Sequence, residues 1–180
     1  MARKLPTNPW LGSGLVLFAA GLFGWVVLPR LAPDPYVGKP ARDFMLPRLA
    51  ASGTLGPEKV RLSDLEGKAV ILDFWASWCM PCRTFSPTVD RVSKSYAPRG
   101  LVALGVLSGD VPEDAAGFLR EHPVSYGTIV DDQREAALAF DVQSLPTVVV
   151  LDKKGGIVAI RRHGVSDREL TALAEAALAN

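Results

Sequence analysis

The segment KAVILDFW, residues 68–75, runs directly into ASWCMPCR, residues 76–83. No other feature narrows the fold as much. A short apolar run bounded by Gly67 and by a cysteine motif predicts a strand. The residues after it predict a helix over Cys82–Tyr96, ending before Pro98-Arg99-Gly100. Strand then helix is the start of an α/β layer.

The rest of the chain continues that alternation. Asp43–Leu49 and Val60–Leu62 read as a short hairpin ahead of the strand. Leu101–Leu107 reads as a second buried strand, and Pro112–Glu121 as a helix with Glu113 and Asp114 in its first turn. Thr128–Val130 is expected as a strand, Gln133–Phe140 as a short helix, and Thr147–Leu151 as another strand. Lys154-Gly155-Gly156 is expected to turn a hairpin into Ile157–Arg162. Ser166 is placed to cap a last helix over Asp167–Leu178, with Glu169 at the capping-box spacing. The expected fold is α/β, with a mixed sheet flanked by helices.

Residues Leu11–Leu28 form an uncharged stretch of 18 residues, roughly 27 Å as a helix. Arg3 and Lys4 precede it and Pro29-Arg30 closes it. Cleavage as a signal peptide after Ala32 would place Arg30 where a small residue is needed, so an uncleaved anchor is expected. The reading is therefore an anchor over 1–30, a proline-rich spacer over 31–40 and a soluble domain over 41–180. A basic tail before the anchor resembles an export signal, which places that domain on the periplasmic or extracytoplasmic side of the cytoplasmic membrane.

The 180 residues carry a net charge of +1, so nothing in the charge balance argues for nucleic acid. With 48% hydrophobic residues a packed core is expected. Only two cysteines are present. A disulfide-stapled domain would spread them over distant segments, and a zinc site would need a second ligand pair. His122 and His163 stand in no metal-ligand spacing, so no metal and no cofactor beyond a redox-active cysteine pair is expected.

Cys79 and Cys82 at i, i+3 would face the same way. At a helix start, free N–H groups and the dipole lower a thiol's pKa from about 8.5. Arg83 adds positive charge there, and Pro81 suits an early helical position. Cys79 is thus the expected nucleophile and Cys82 the resolving thiol. Asp73 lies among apolar neighbours, where burial should raise its pKa and suit it to proton transfer with Cys82. Pro146 opens an apolar strand, and the residues alone leave its peptide bond open, trans being the common form.

VILDFWASWCMPCR resembles the active-site strand and helix of thioredoxins. Three further stretches, Gly38-Lys39-Pro40 through Leu46-Pro47, Leu62–Lys68, and Trp75–Cys79, are similar to the membrane-anchored thioredoxin-like family of the TlpA, ResA and DsbE/CcmG type. The resemblance covers about residues 38–179. It implies a thioredoxin-like mixed sheet with an N-terminal hairpin and a helix–strand insertion between Ser108 and Asp132. It implies a cis bond at Pro146 beside Cys79, and client contacts from Trp78, Met80, Pro81, Leu145 and Pro146. It also implies a protein-disulfide reductase, whose clients include apocytochrome c during cytochrome c maturation, supplied by a transmembrane thiol donor of the DsbD or CcdA kind. The chain departs from that type in two places. Asp73 stands where asparagine is common, and Phe85 where a glutamate follows the second cysteine. Asp73 is the expected substitute for that missing acid.

Three other readings compete. A thiol oxidase or isomerase would differ in redox potential. A peroxidase of the peroxiredoxin kind would need a threonine-containing nucleophile loop that is absent here. A metal or haem chaperone of the Sco kind would want CxxxC and a downstream histidine.

Overall fold

The computed structural model describes residues 34–180, so the apolar run over 11–28 lies outside the described residues. Seven segments pair into one sheet: β1 (Met45–Leu49), β2 (Leu55–Arg61), β3 (Ala69–Trp75), β4 (Leu101–Leu107), β5 (Gly127–Val130), β6 (Thr147–Leu151) and β7 (Ile157–Arg161). Their order is β2-β1-β5-β4-β3-β6-β7. β3–β4 and β4–β5 are parallel, whereas β1–β2, β1–β5, β3–β6 and β6–β7 are antiparallel. The sheet is mixed, as expected, and the inserted β5 sits between the hairpin and β4.

Among the described residues four α-helices flank it: α1 (Met80–Tyr96), α2 (Pro112–Glu121), α3 (Glu135–Ala139) and α4 (Asp167–Ala179). Every residue of β3 is buried, because successive side chains point to opposite, covered faces. Val70, Leu72 and Phe74 pack with Phe44, Leu104 and Phe140 on one face. Ala69 and Ile71 pack on the other with Phe85, Val89 and Val92 of α1 and with Leu170, Ala174 and Ala177 of α4. Each large side chain buried in this way contributes about 1.5–3 kcal/mol. β3 is thereby clamped, and its carboxyl end is a fixed platform for the cysteines.

The sequence reading differs from the structure at several ends. α1 begins at Met80 rather than at Cys82, because Cys79 itself is the cap, with extended backbone at φ −80 and ψ 97. β2 begins five residues early at Leu55, where mostly exposed residues without an apolar pattern still pair with β1 through Leu55 and Lys59. α3 is shorter than the expected Gln133–Phe140, since Arg134 takes a left-handed φ of 58 just before it. The Ser166 hydroxyl does accept from the Glu169 N–H, but the Glu169 carboxylate bonds Arg161 at 2.8 Å instead of closing the box. Of the expected spacer, the last residues are docked: the Gly38 N–H donates to the Ile157 carbonyl, and Pro40 bridges to Gly156.

Candidate active site

Cys79 and Cys82 form a disulfide with S–S 2.05 Å and Cα–Cα 5.3 Å. Their exposures are only 3% and 2%, in a cluster with Trp75, Ala76, Leu107 and Val130. The Cys82 N–H donates to the Cys79 sulfur at 3.2 Å. A donor of the first helical turn, shared with the Cys79 carbonyl at 3.1 Å, is thus aimed at the sulfur that would carry charge as a thiolate. Pro81 falls in that same turn, where its missing N–H leaves no bond unmade. Arg83 donates to the Ser77 carbonyl at 3.3 Å and lies 5.1 Å over the Phe118 ring. Its charge is therefore pinned to the loop that carries Cys79.

That loop is laced to the one that follows β4. The Ser77 N–H donates to Asp110 Oδ2 at 2.6 Å, and the Trp78 indole N–H donates to the Gly109 carbonyl at 3.0 Å. Above the disulfide, Trp78 and Met80 stand 61% and 64% exposed. Large apolar side chains left in water beside a reactive pair suit contact with another chain. Trp78, Ser108, Gly109, Arg134, Gln143 and Leu145 line a cleft of about 180 Å³ next to it. The Leu145–Pro146 bond is cis, as the resemblance implied; Pro146 is buried, and Leu145 packs against the cluster that holds both cysteines. Gly109 and Asp110 were not singled out from the sequence. Their signal was position: an open α/β sheet builds sites from the loops at the carboxyl ends of its strands.

Asp73 is completely buried. Its Oδ2 accepts from the Ser86 hydroxyl at 3.2 Å and from the Tyr126 phenol at 2.8 Å, whereas Oδ1 has no partner. Burial pushes its pKa up to about 6, with the Tyr126 and Ser86 bonds partly offsetting the rise. Ser86 follows Cys82 by four residues, hence on the same side of α1. Asp73 thus lies under the helix face that carries the second cysteine, one turn along. Phe85, at the position of the glutamate that this type of protein often has, is buried and packs against α4 and Gly164. Among the described residues no group of His, Cys, Asp and Glu side chains could hold a metal ion.

Comparison with known proteins gives a consistent picture. A family model described as the AhpC/TSA family matches residues 37–160. The thioredoxin-like protein YneN of Bacillus subtilis is 31% identical over 89% of this chain and 94% of its own length. The thiol-disulfide oxidoreductase ResA of the same organism is 30% identical over 57% of this chain and 58% of its own. Among solved structures, one described as a thiol:disulfide interchange protein DsbE from Chlorobium tepidum superposes with a TM-score of 0.71 at 29% identity, covering 82% of this chain and 99% of that one.

Proposed function

This chain belongs to the AhpC/TSA family and is a thiol–disulfide oxidoreductase of the ResA and DsbE type, and from that premise we propose that it reduces disulfides of client proteins through Cys79 and Cys82. The observation that carries the reading is one arrangement: a helix-capping Cys79 bonded to Cys82 of the first turn, beside exposed Trp78 and Met80, with a buried acid under the same helix face.

The chemistry follows from the geometry. In the reduced enzyme the Cys79 thiolate attacks one sulfur of a client disulfide, forming a mixed disulfide and releasing one client thiolate. Trp78, Met80, Leu145 and Pro146 hold the client, with Pro81 shaping the turn between the cysteines. The Cys82 thiol then gives its proton to Asp73 and attacks the Cys79 sulfur. The second client thiolate leaves, two electrons have passed to the client, and the enzyme is left as the Cys79–Cys82 disulfide. Arg83 adds positive charge near the attacking sulfur.

A finer reading rests on the resemblance and on the first thirty residues. The domain is held to the outer side of the cytoplasmic membrane by residues 1–30. It is re-reduced by a transmembrane thiol donor of the DsbD or CcdA kind, and its clients include apocytochrome c. Among the described residues no helix is long and apolar enough to cross a membrane, so the anchor rests on Leu11–Leu28. An oxidase or isomerase uses the same cysteines at a different potential. The deciding experiment is the midpoint potential of the pair: a value near −270 mV supports the reductase, and one near −120 mV the oxidase, roughly the limits such folds span.

A further inference from the structure

We propose that Tyr126 is a positioning residue for disulfide exchange, holding one oxygen of Asp73 so that the other, Oδ1, receives the proton of Cys82. The proposal rests on the reading of Asp73 as the proton acceptor given above.

Tyr126 immediately precedes β5, two strands away from Asp73. The parallel register aligns Asp73 with Gly105, and Gly105 with Thr128. Aligned residues of a parallel sheet point to the same face, so the three form a row. The middle of that row has no side chain. A Cβ on Gly105 would stand 2.8 Å from both Thr128 Oγ1 and Trp75 Nε1. Thr128 and Trp75 close over the bare glycine, and Tyr126, two residues before Thr128, lies on that same face of the sheet. The Tyr126 ring packs with the cluster of Ile71 and Phe85, and its hydroxyl donates to Asp73 Oδ2 at 2.8 Å.

Ser86 reaches the same Oδ2 from the helix side. Two hydroxyls on one oxygen leave Oδ1 without a partner although it is buried. A buried acceptor with no donor is costly, and such groups concentrate where chemistry needs them. Oδ1 is therefore the free position for a proton arriving from the side of Cys82. A hydrogen bond to the charged form also keeps the carboxylate ionised at lower pH than burial alone would allow.

Few other groups can act on Asp73. At its register β4 presents Gly105 and β6 presents Val148. α4 brings Leu170 and Ala174 to this core. α1 brings Cys82 and Ser86, and farther along Asp90 and Lys94, which pair with each other at 2.6 Å. The Asp90 carboxylate also bonds the Ser125 N–H at 2.6 Å, next to Tyr126.

The test follows mixed-disulfide formation and resolution separately by stopped flow between pH 5.5 and 9, in wild type and Tyr126→Phe. Loss of the phenol should move the pH midpoint of resolution up by about one unit. That slows resolution about fivefold at pH 6 and changes it little at pH 8. Formation should be unchanged, and Ser86→Ala should shift the midpoint in the same direction. An unshifted midpoint, or equal slowing at every pH, overturns the proposal. Asp73→Asn separates the premise: wild-type resolution in that variant defeats the role of Asp73 itself. Should Tyr126→Phe not fold, 3-fluorotyrosine incorporated at the protein's three tyrosines makes the phenol a stronger donor. The carbon-13 titration of the Asp73 carboxyl should then move down in pH, and no movement overturns the proposal.

Discussion

The Ser77 N–H donates to Asp110 Oδ2 at 2.6 Å, tying the loop that carries Cys79 to the loop that ends β4. The other oxygen of Asp110 accepts from the Val111 N–H at 2.8 Å. One carboxylate thus fixes two backbone segments, and the next residue after Ser77 is the exposed Trp78. Asp110→Ala should cost about 1–2 kcal/mol of stability by leaving both donors without this partner. It should also slow client reduction several-fold, since the docking loop is no longer held. Urea unfolding and an insulin-reduction assay read the two effects. Unchanged stability and rate would mean that the loop is held by the Trp78–Gly109 bond alone.

Asp73→Asn should slow resolution of the mixed disulfide more than its formation. Formation needs only the Cys79 thiolate at the helix start, whereas resolution needs a proton acceptor for a shielded thiol. Phe85 offers no acid in its place.

The same variant should also change how stability depends on pH. The pKa of Asp73 is raised from 3.8 to about 6 in the folded protein. The folded state therefore holds a proton that the unfolded chain has already lost, and stability from this group falls as pH rises from about 4 to 6. Asp73→Asn should remove that decline. It should gain up to roughly 3 kcal/mol at pH 7 and nothing below pH 4. Thermal unfolding at both pH values checks this; a variant equally affected at pH 4 and 7 would show that Asp73 is not a buried acid.

Gly105→Ala should destabilise by about 1–3 kcal/mol. The added methyl would meet Trp75 Nε1 and Thr128 Oγ1 at 2.8 Å, and the Trp75 ring is locked in the cluster beside the cysteines. The measurement is chemical denaturation. A neutral result would show that Trp75 and Thr128 can both step aside.

Most of this architecture is legible because β3, Asp73 apart, and β4 are apolar on both faces, and no charge interrupts Leu101–Leu107. The cysteine pair, Asp73 and the cis bond at Pro146 were legible too, the last only through the resemblance, since periodicity carries no trace of peptide isomer. Tyr126 was not. It lies 53 residues from Asp73 in the chain, and only the β3–β4–β5 register brings them together. Asp110 escaped for the same reason, its partner Ser77 lying 33 residues away. The start of α1 is hidden in the sequence because a cysteine is an unusual cap, and the first half of β2 because its exposed positions lack an apolar pattern.

Cys79 attacks and Cys82 resolves. Incubating reduced Cys82→Ser and Cys79→Ser variants with a disulfide-bonded client peptide at pH 7, and mapping adducts by mass spectrometry, separates the two roles. Cys82→Ser should accumulate a stable mixed disulfide on Cys79, because the attacking thiolate is intact and the resolving thiol is gone. Cys79→Ser should form almost no adduct, since Cys82 lacks the capping position at which the first helical turn lowers the pKa of the Cys79 thiol. Adducts forming as readily on Cys82 as on Cys79 would show that the two roles are not divided in this way.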